Sequence, residues 1–335
     1  MAFKSGPYSD LPTFAELVEK TKGHPLEGHA WDVWNKPGQE KDTLGALNLL
    51  TPETVLKAKD EIQTGIRVQV DWPLNALTWT LHKRAPLKQQ IVDLMSINDM
   101  YCHDDVLTFN TQASSQWDGF GHCGEQETGI YYNGVPHDQI MKTGNKQLGT
   151  DHWVKNGGIA GRGVLLDYVH YCEAHGKPVP YAHSNHGITV DDLEAIAAFE
   201  GVEFRTGDIL FIRSGFTRWY DNAPEDERKE AFTGQSRFIG IVSDRTSRDW
   251  LWNRHFAAVA GDTFAFELRP KDTSTGILLH EWLLPRWGMP IGEMFNLEPL
   301  AQVCEEQKRW TFFFTSAPCY VPGGVATPPN GIAIL

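Results

Sequence analysis

The segment Gln112-Ala-Ser-Ser-Gln-Trp-Asp-Gly-Phe-Gly-His122 constrains this chain more than any other. Gln112, Ser114, Gln116, Asp118 and His122 share one parity, and the other parity holds small or apolar residues, Trp117 among them. Successive side chains of an extended backbone point to opposite faces. The pattern therefore predicts a strand, read over 107–118, that presents a polar wall to a pocket and packs Trp117 behind it.

Composition sets the frame for that strand. With 335 residues, 41% hydrophobic and 22% charged, the chain can bury a full core. No repeat, low-complexity tract or long charge run divides it, so a single domain over 1–335 is expected, with residues 1–40 as an N-terminal extension packed on the rest. A formal net charge of −13 lacks the concentrated basic surface that nucleic acid or an anionic membrane requires. The expected partner is a small molecule. The N-terminus has no apolar h-region and no run of about 18 apolar residues occurs, which predicts a cytoplasmic protein without membrane spans. Five cysteines, none in C-x-x-C spacing, read as reduced thiols. Cys123 follows His122 directly; on a strand the two would face opposite ways, so Cys123 reads as a small buried thiol.

Three helices announce themselves. Thr51-Pro52-Glu53 places an N-cap, a first-turn proline and an acid ahead of Val55, Leu56 and Ile62, with Gly65 as the stop. Thr189 with Asp191 and Asp192 opens a second, carrying Leu193, Ile196 and Ala197 and ending before Gly201. Glu298 to about Lys308 gives a third. Apolar runs bounded by Gly, Pro and Asp predict strands over 163–167, 208–214, 256–260, 310–316 and 332–335. Strands outnumber helices without strict alternation, so the fold class is α/β with a mixed sheet and packed helices. The Pro/Gly-rich stretch 321–330 lies between two apolar strands and reads as a structured loop, and the charged stretch 221–230 as solvated surface.

Asp118, His280 and Glu293, taken with Gln116, form the strongest divalent-metal set in the chain. His103 beside Asp104 and Asp105 reads as an exposed polar cluster, and His183 and His186 as a helix-entry loop. His152, His170, His175 and His255 read as structural.

Ser114-Ser-Gln-Trp-Asp-Gly-Phe-Gly-His122, followed by Tyr131-Tyr-Asn-Gly134, resembles the cyclase family of metal-dependent hydrolases, which includes bacterial kynurenine formamidase and isatin hydrolase. Matches continue through 44–52, 161–167, 207–215, the His280 and Glu293 segments and Ser316-Ala-Pro318, so the likeness covers roughly residues 40 to 335. It implies the swivelling β/β/α fold. Laid on the family signature His-x-Gly-Thr-His-x-Asp-x-Pro-x-His, two expected histidines fall on Gln112 and Gln116, as in a glutamine-bearing branch. Asp118 and His122 match, and Phe120 stands at the proline.

The resemblance implies metal ligation by Asp118, His280 and Glu293, with Gln116 and Gln112 in place of histidines, and His122 as the catalytic group that passes protons. Asp118 and Glu293 balance one divalent cation and leave a second uncompensated in a low-dielectric pocket, so one metal is expected. Carbonyl and carboxylate oxygens with a single imidazole suit Mn²⁺ or Zn²⁺. Four residues of extended chain separate Gln112 from Gln116 by about 13 Å, so a bend at Ser114-Ser115 is required for both to reach one ion. Trp117, Phe120, Tyr131 and Tyr132 suggest an apolar pocket for a ring-bearing or cyclic substrate.

The expected activity is hydrolysis of a C–N amide or C–O lactone bond in a small cyclic or aromatic compound, in a homodimer or higher homo-oligomer. The alternatives are a lyase or cyclase of secondary metabolism using the same site, and a lapsed enzyme that binds a small molecule.

Overall fold

Nine strands form one sheet, numbered here in chain order: β1 (Arg67–Gln69), β2 (Gln116–Asp118), β3 (Ile159–Asp167), β4 (Ile209–Arg213), β5 (Ala258–Gly261), β6 (Ile291–Glu293), β7 (Thr311–Ser316), β8 (Ala326–Thr327) and β9 (Gly331–Ile334). The structure is a computed structural model and describes Tyr8, residues 10–271 and residues 274–335. The strand order is β1-β9-β7-β3-β4-β5-β6-β2-β8. β3, β4, β5 and β6 run parallel, and the remaining pairings are antiparallel. The sheet is mixed, as expected.

The parallel centre follows from composition. Val164-Leu165-Leu166, Ile209-Leu210-Phe211-Ile212 and Ala258-Val259-Ala260 are apolar at every position and buried throughout, as strands covered on both faces must be. β7 alternates instead, burying Phe312 and Phe314 between partly exposed neighbours.

Helix starts follow the capping signals. Thr51 accepts the amide of Thr54 and opens Pro52–Ala58. Leu56 and Ile62 nevertheless stay about half exposed, so the predicted apolar stripe is not what seats this helix. Thr189 and Asp192 form a reciprocal capping box for Val190–Glu200, which buries Leu193, Ile196 and Ala197 and ends at left-handed Gly201. Glu298–Gln307 buries Leu300, Ala301 and Cys304. The predicted surface stretch 221–230 contributes to the helix Glu225–Thr233. No described helix is long and apolar enough to cross a membrane.

Residues 10–40 pack on the body through indoles. Trp31 and Trp34 donate their ring N–H groups to the carbonyls of Pro285 and Trp287. Beside them two backbones meet at glycines: Ala46 N–H donates to Gly288 O at 2.8 Å, and a Cβ on Gly45 would fall 2.0 Å from that same oxygen.

The strand predicted over 107–118 is two elements. His103–Thr108 pairs with Lys88–Asp93 in an exposed hairpin, and extended structure resumes only at Gln116. Asn110 breaks the run: its carbonyl accepts the amide of Ala113 and its side chain accepts the amide of Gln112, which satisfies the backbone locally in place of a ladder. The chain then bends through Ser114 and Ser115, whose hydroxyls donate to the Pro73 and Met294 carbonyls. The stretch 321–330 is structured: it supplies β8, and Val325 O accepts the amide of Gly119 just past β2.

Candidate metal centre

The site is built on the antiparallel pair β2/β6, whose register sets Gln116 opposite Glu293, Trp117 opposite Gly292 and Asp118 opposite Ile291. Alternation along β2 puts Gln116 and Asp118 on one face, and Gln116 donates its amide N–H to Glu293 Oε2 at 2.7 Å. Trp117 goes to the other face, where its ring meets Phe295 with centroids 5.1 Å apart and its N–H donates to Ser316 Oγ.

His280 arrives from the short helix Leu279–Glu281. Its Nδ1 lies 2.6 Å from Glu267 Oε1, and the other Glu267 oxygen accepts from Ser243 Oγ and the Leu279 amide. With Nδ1 engaged, Nε2 is directed at Glu293 Oε1, 3.2 Å away, and at Asp118 Oδ2, 3.9 Å away. A carboxylate behind a histidine fixes the ring's orientation and tautomer for a ligand role.

The bends flanking β2 bring in two more groups. Gln112 donates from Nε2 to Asp118 Oδ1 at 2.6 Å and lies 3.1 Å from His122 Nδ1. After Asp118 the chain turns, with the His122 amide bonded to Gly119 O, and His122 Nε2 comes to 3.8 Å from Asp118 Oδ2. Asp118, His122 and His280 each offer a ligand atom, all within 4.8 Å of one another.

A cation fits this donor set. Asp118 Oδ2 and Gln116 Oε1 are buried with no hydrogen-bond partner, a costly condition for polar oxygens. The separations of His280 Nε2 from Asp118 Oδ2 and Glu293 Oε1, 3.9 and 3.2 Å, resemble the ligand-to-ligand edge of about 3.4 Å that a tetrahedral ion with bonds near 2.1 Å would produce. Electrostatics agree. Burial, and next the charge of Asp118, push Glu293 up to about 7. Burial would depress His280, but the Glu267 and Glu293 carboxylates outweigh it and hold its proton affinity well above the ordinary value. The same His280 contact, with Ser243, keeps Glu267 below its usual range against the effect of burial. Positive charge among these carboxylates is what the site lacks.

His122 differs. Burial lowers its pKa, and the nearby Asp118 carboxylate only partly opposes this. Its side chain remains 23% exposed, against 6% for His280, so it is the more accessible of the two site histidines.

A cavity of about 420 Å³ is lined by Gln112, His122, His280 and Glu293 and also by Arg84 and Arg269. The structure brings Asp118, His280, Glu293, Gln116, Gln112 and His122 together. It does not bring the expected aromatic wall. Trp117 faces the core; Phe120 packs on Tyr132 and Trp153 at 4.9 and 5.4 Å; Tyr132 is fully buried with its hydroxyl on Asp42. Strand alternation itself sends Trp117 behind the polar wall, and the turn after Asp118, which ends that alternation, carries Phe120 away. The aromatic residue on the cavity is Phe264. The same turn leaves Cys123 lining the cavity with His122 instead of facing away, though burial raises its thiol pKa and keeps it protonated.

Glu267, Arg84, Arg269 and His82 escaped the sequence reading. Glu267 had a signal: it is the lone acid in Thr263-Phe-Ala-Phe-Glu-Leu268, and a carboxylate inside an apolar run must find a partner. The arginines had none. Of the other histidines, His103 lies on the exposed hairpin with Asp104 and Asp105, and His186 bonds to the Tyr168 hydroxyl.

A family model described as putative cyclase matches residues 28–268. The chain belongs to the cyclase family. The crystal structure of a novel cyclase is similar over 92% of this chain and 99% of its own, at 30% identity and a TM-score of 0.79. Isatin hydrolase A from Labrenzia aggregata, bound to benzyl benzoate, shares the fold at 10% identity and a TM-score of 0.56, over 86% of this chain and 98% of that one. An isatin hydrolase bound to the product analogue thioisatinate does so at 12% identity and 0.57, over 85% and 99%. No curated protein matches the sequence.

Proposed function

We propose that this protein is a metal-dependent hydrolase that cleaves a C–N amide or C–O lactone bond in a small cyclic or aromatic substrate. The observation that carries this reading is the pair of orphaned buried oxygens, Asp118 Oδ2 and Gln116 Oε1, beside His280 and Glu293. Asp118, His280 and Glu293 would hold one divalent ion, Mn²⁺ or Zn²⁺, with Gln116 contributing its carbonyl oxygen. In this arrangement Gln112 turns its amide nitrogen to Asp118 and so positions that carboxylate rather than ligating.

A bound divalent cation supplies Lewis-acid polarisation of a carbonyl and activation of water. The chain's own residues do the rest. Burial favours the neutral form of His122, which accepts the water's proton at a ring nitrogen; the charge of Asp118, whose Oδ2 lies 3.8 Å from His122 Nε2, stabilises the imidazolium formed. The same proton then passes to the leaving nitrogen or oxygen. Gln112 Nε2 gives one hydrogen to Asp118 and lies 3.1 and 3.2 Å from the two His122 ring nitrogens, so its second hydrogen positions that ring.

The test is metal content of the purified protein, then a screen of lactones, formamides and cyclic imides with and without chelator. Turnover that is insensitive to chelator sinks the proposal. Incorporation of ¹⁸O from labelled water separates hydrolysis from the lyase alternative, and protein free of metal and activity would favour the binding protein.

We also propose a homo-oligomer assembled through the hairpin 88–108. Ile91, Ile97, Tyr101 and Val106 on it are all more than half exposed, and an isolated two-stranded hairpin is marginal in water. Light scattering tests this: Ile91→Asp combined with Tyr101→Asp is expected to reduce the assembly to monomers, and a monomeric wild type overturns it.

A further inference from the structure

Most arginines of this acidic chain are paired. Arg162, Arg213, Arg254 and Arg286 each meet a carboxylate at ion-pair distance. Among the described residues neither Arg84 nor Arg269 makes an ion pair; Arg84 gives one guanidinium N–H to Gln112 O and stands over the Phe264 ring, 5.7 Å from its centroid. His82 also lines the cavity, and burial followed by the charges of Arg84 and Arg269 lowers its proton affinity. The loop that carries it holds His82 and Lys83 at φ 56° and 57°, a left-handed conformation that non-glycine residues adopt at a cost.

The charges can be counted. One divalent cation offsets Asp118 and Glu293. Glu267, buried behind His280, which with Ser243 influences it more than Arg269 does, adds one further negative charge to the count. Among the described residues that line the cavity, one guanidinium charge is left, facing a wall that includes Phe264, Leu278 and Ala265. A neutral substrate would displace water from that guanidinium and give nothing back, which is unfavourable.

We propose that the substrate is a monoanion: a small ring-bearing molecule with a carboxylate, or an equivalent anionic group, besides the bond that is cleaved, bound through Arg269 and Arg84 with its ring against Phe264. This rests on the hydrolase reading for the cleaved bond but not for the binding. Arg269 and Arg84 are specificity-determining residues, each offering planar N–H pairs that match a carboxylate.

Calorimetric titration of the metal-loaded protein with benzoate and with benzamide tests it. Wild type is expected to bind benzoate at least tenfold more tightly than benzamide. Arg269→Gln and Arg84→Gln should each erase most of that preference, and Arg269→Lys should keep part of it. A preference that survives in both glutamine variants means the carboxylate sits on the metal, and the proposal falls; equal binding of the two probes by wild type also overturns it. If Arg84→Gln does not fold because Gln112 O loses its partner, Arg269→Gln decides. The two readings fail separately: benzoate selectivity without hydrolysis of any substrate removes the hydrolase, whereas hydrolysis of neutral lactones without benzoate selectivity removes the anion site.

Discussion

Glu267 Oε1 lies 2.6 Å from His280 Nδ1, and both groups are buried. This contact decides which nitrogen of His280 faces Asp118 and Glu293. Glu267→Gln keeps the shape but withdraws the charge that makes the ring a better ligand. Such changes behind a metal-binding histidine cost about 10–100-fold in metal affinity. Competition against a chromophoric chelator, with circular dichroism to show an intact fold, checks this; unchanged affinity would place the metal elsewhere.

His122→Ala should lower kcat/KM by about 10²–10⁴ while leaving metal content unchanged, because proton transfer contributes on that order. The pH profile has a defined sign. Burial depresses the His122 pKa below 6.5, and a nearby cation acts in the same direction. The neutral, proton-accepting form therefore persists through pH 7, and activity falls on an acid limb lying below pH 6.5. That limb should disappear from the residual activity of the variant.

His29 provides a stability switch away from the site. Burial, then the neighbouring His24, lowers its pKa from 6.5 to about 4, and its Nδ1 accepts the Trp31 amide at 3.2 Å, a role only the unprotonated nitrogen can fill. The unfolded chain binds the extra proton first, so this contribution is complete above pH 6.5 and is lost as the pH falls from there through 4. His29→Phe should lower Tm at pH 7, since the Trp31 amide loses its acceptor, yet flatten the decline of Tm between pH 6.5 and 4. An identical slope in both proteins rejects this assignment.

Gly45→Ala should destabilise by about 3 kcal/mol, in the range of substitutions that force backbone apart. Its Cβ would meet the Gly288 carbonyl at 2.0 Å, and its φ of +53° already disfavours a side chain. Urea unfolding measures it, and a loss under about 1 kcal/mol would mean the two segments part easily.

Helix starts and central strands were legible because their causes are local. Thr51, Thr189 and the apolar runs around Leu165, Phe211 and Val259 act within a few residues of themselves. The segment 107–118 misled because Asn110 and the two serines could equally line a strand or close a turn; their partners, Pro73 and Met294, lie far along the chain. The aromatic wall misled for a related reason. Parity sorts side chains only while the backbone stays extended, and past Asp118 it does not.

Residue types came from the sequence: two carboxylates, an imidazole and glutamines able to surround a cation, in an order that matches a known family. Their convergence did not. Gln116 meets Glu293 because β2 and β6 pair in one register, and Arg84 and Arg269 meet at one cavity because loops distant in the chain close over it. Donor chemistry belongs to each side chain alone, whereas distance between donors belongs to the packed structure: a one-residue slip of β2 would turn Gln116 and Asp118 to the opposite face, away from Glu293 and His280.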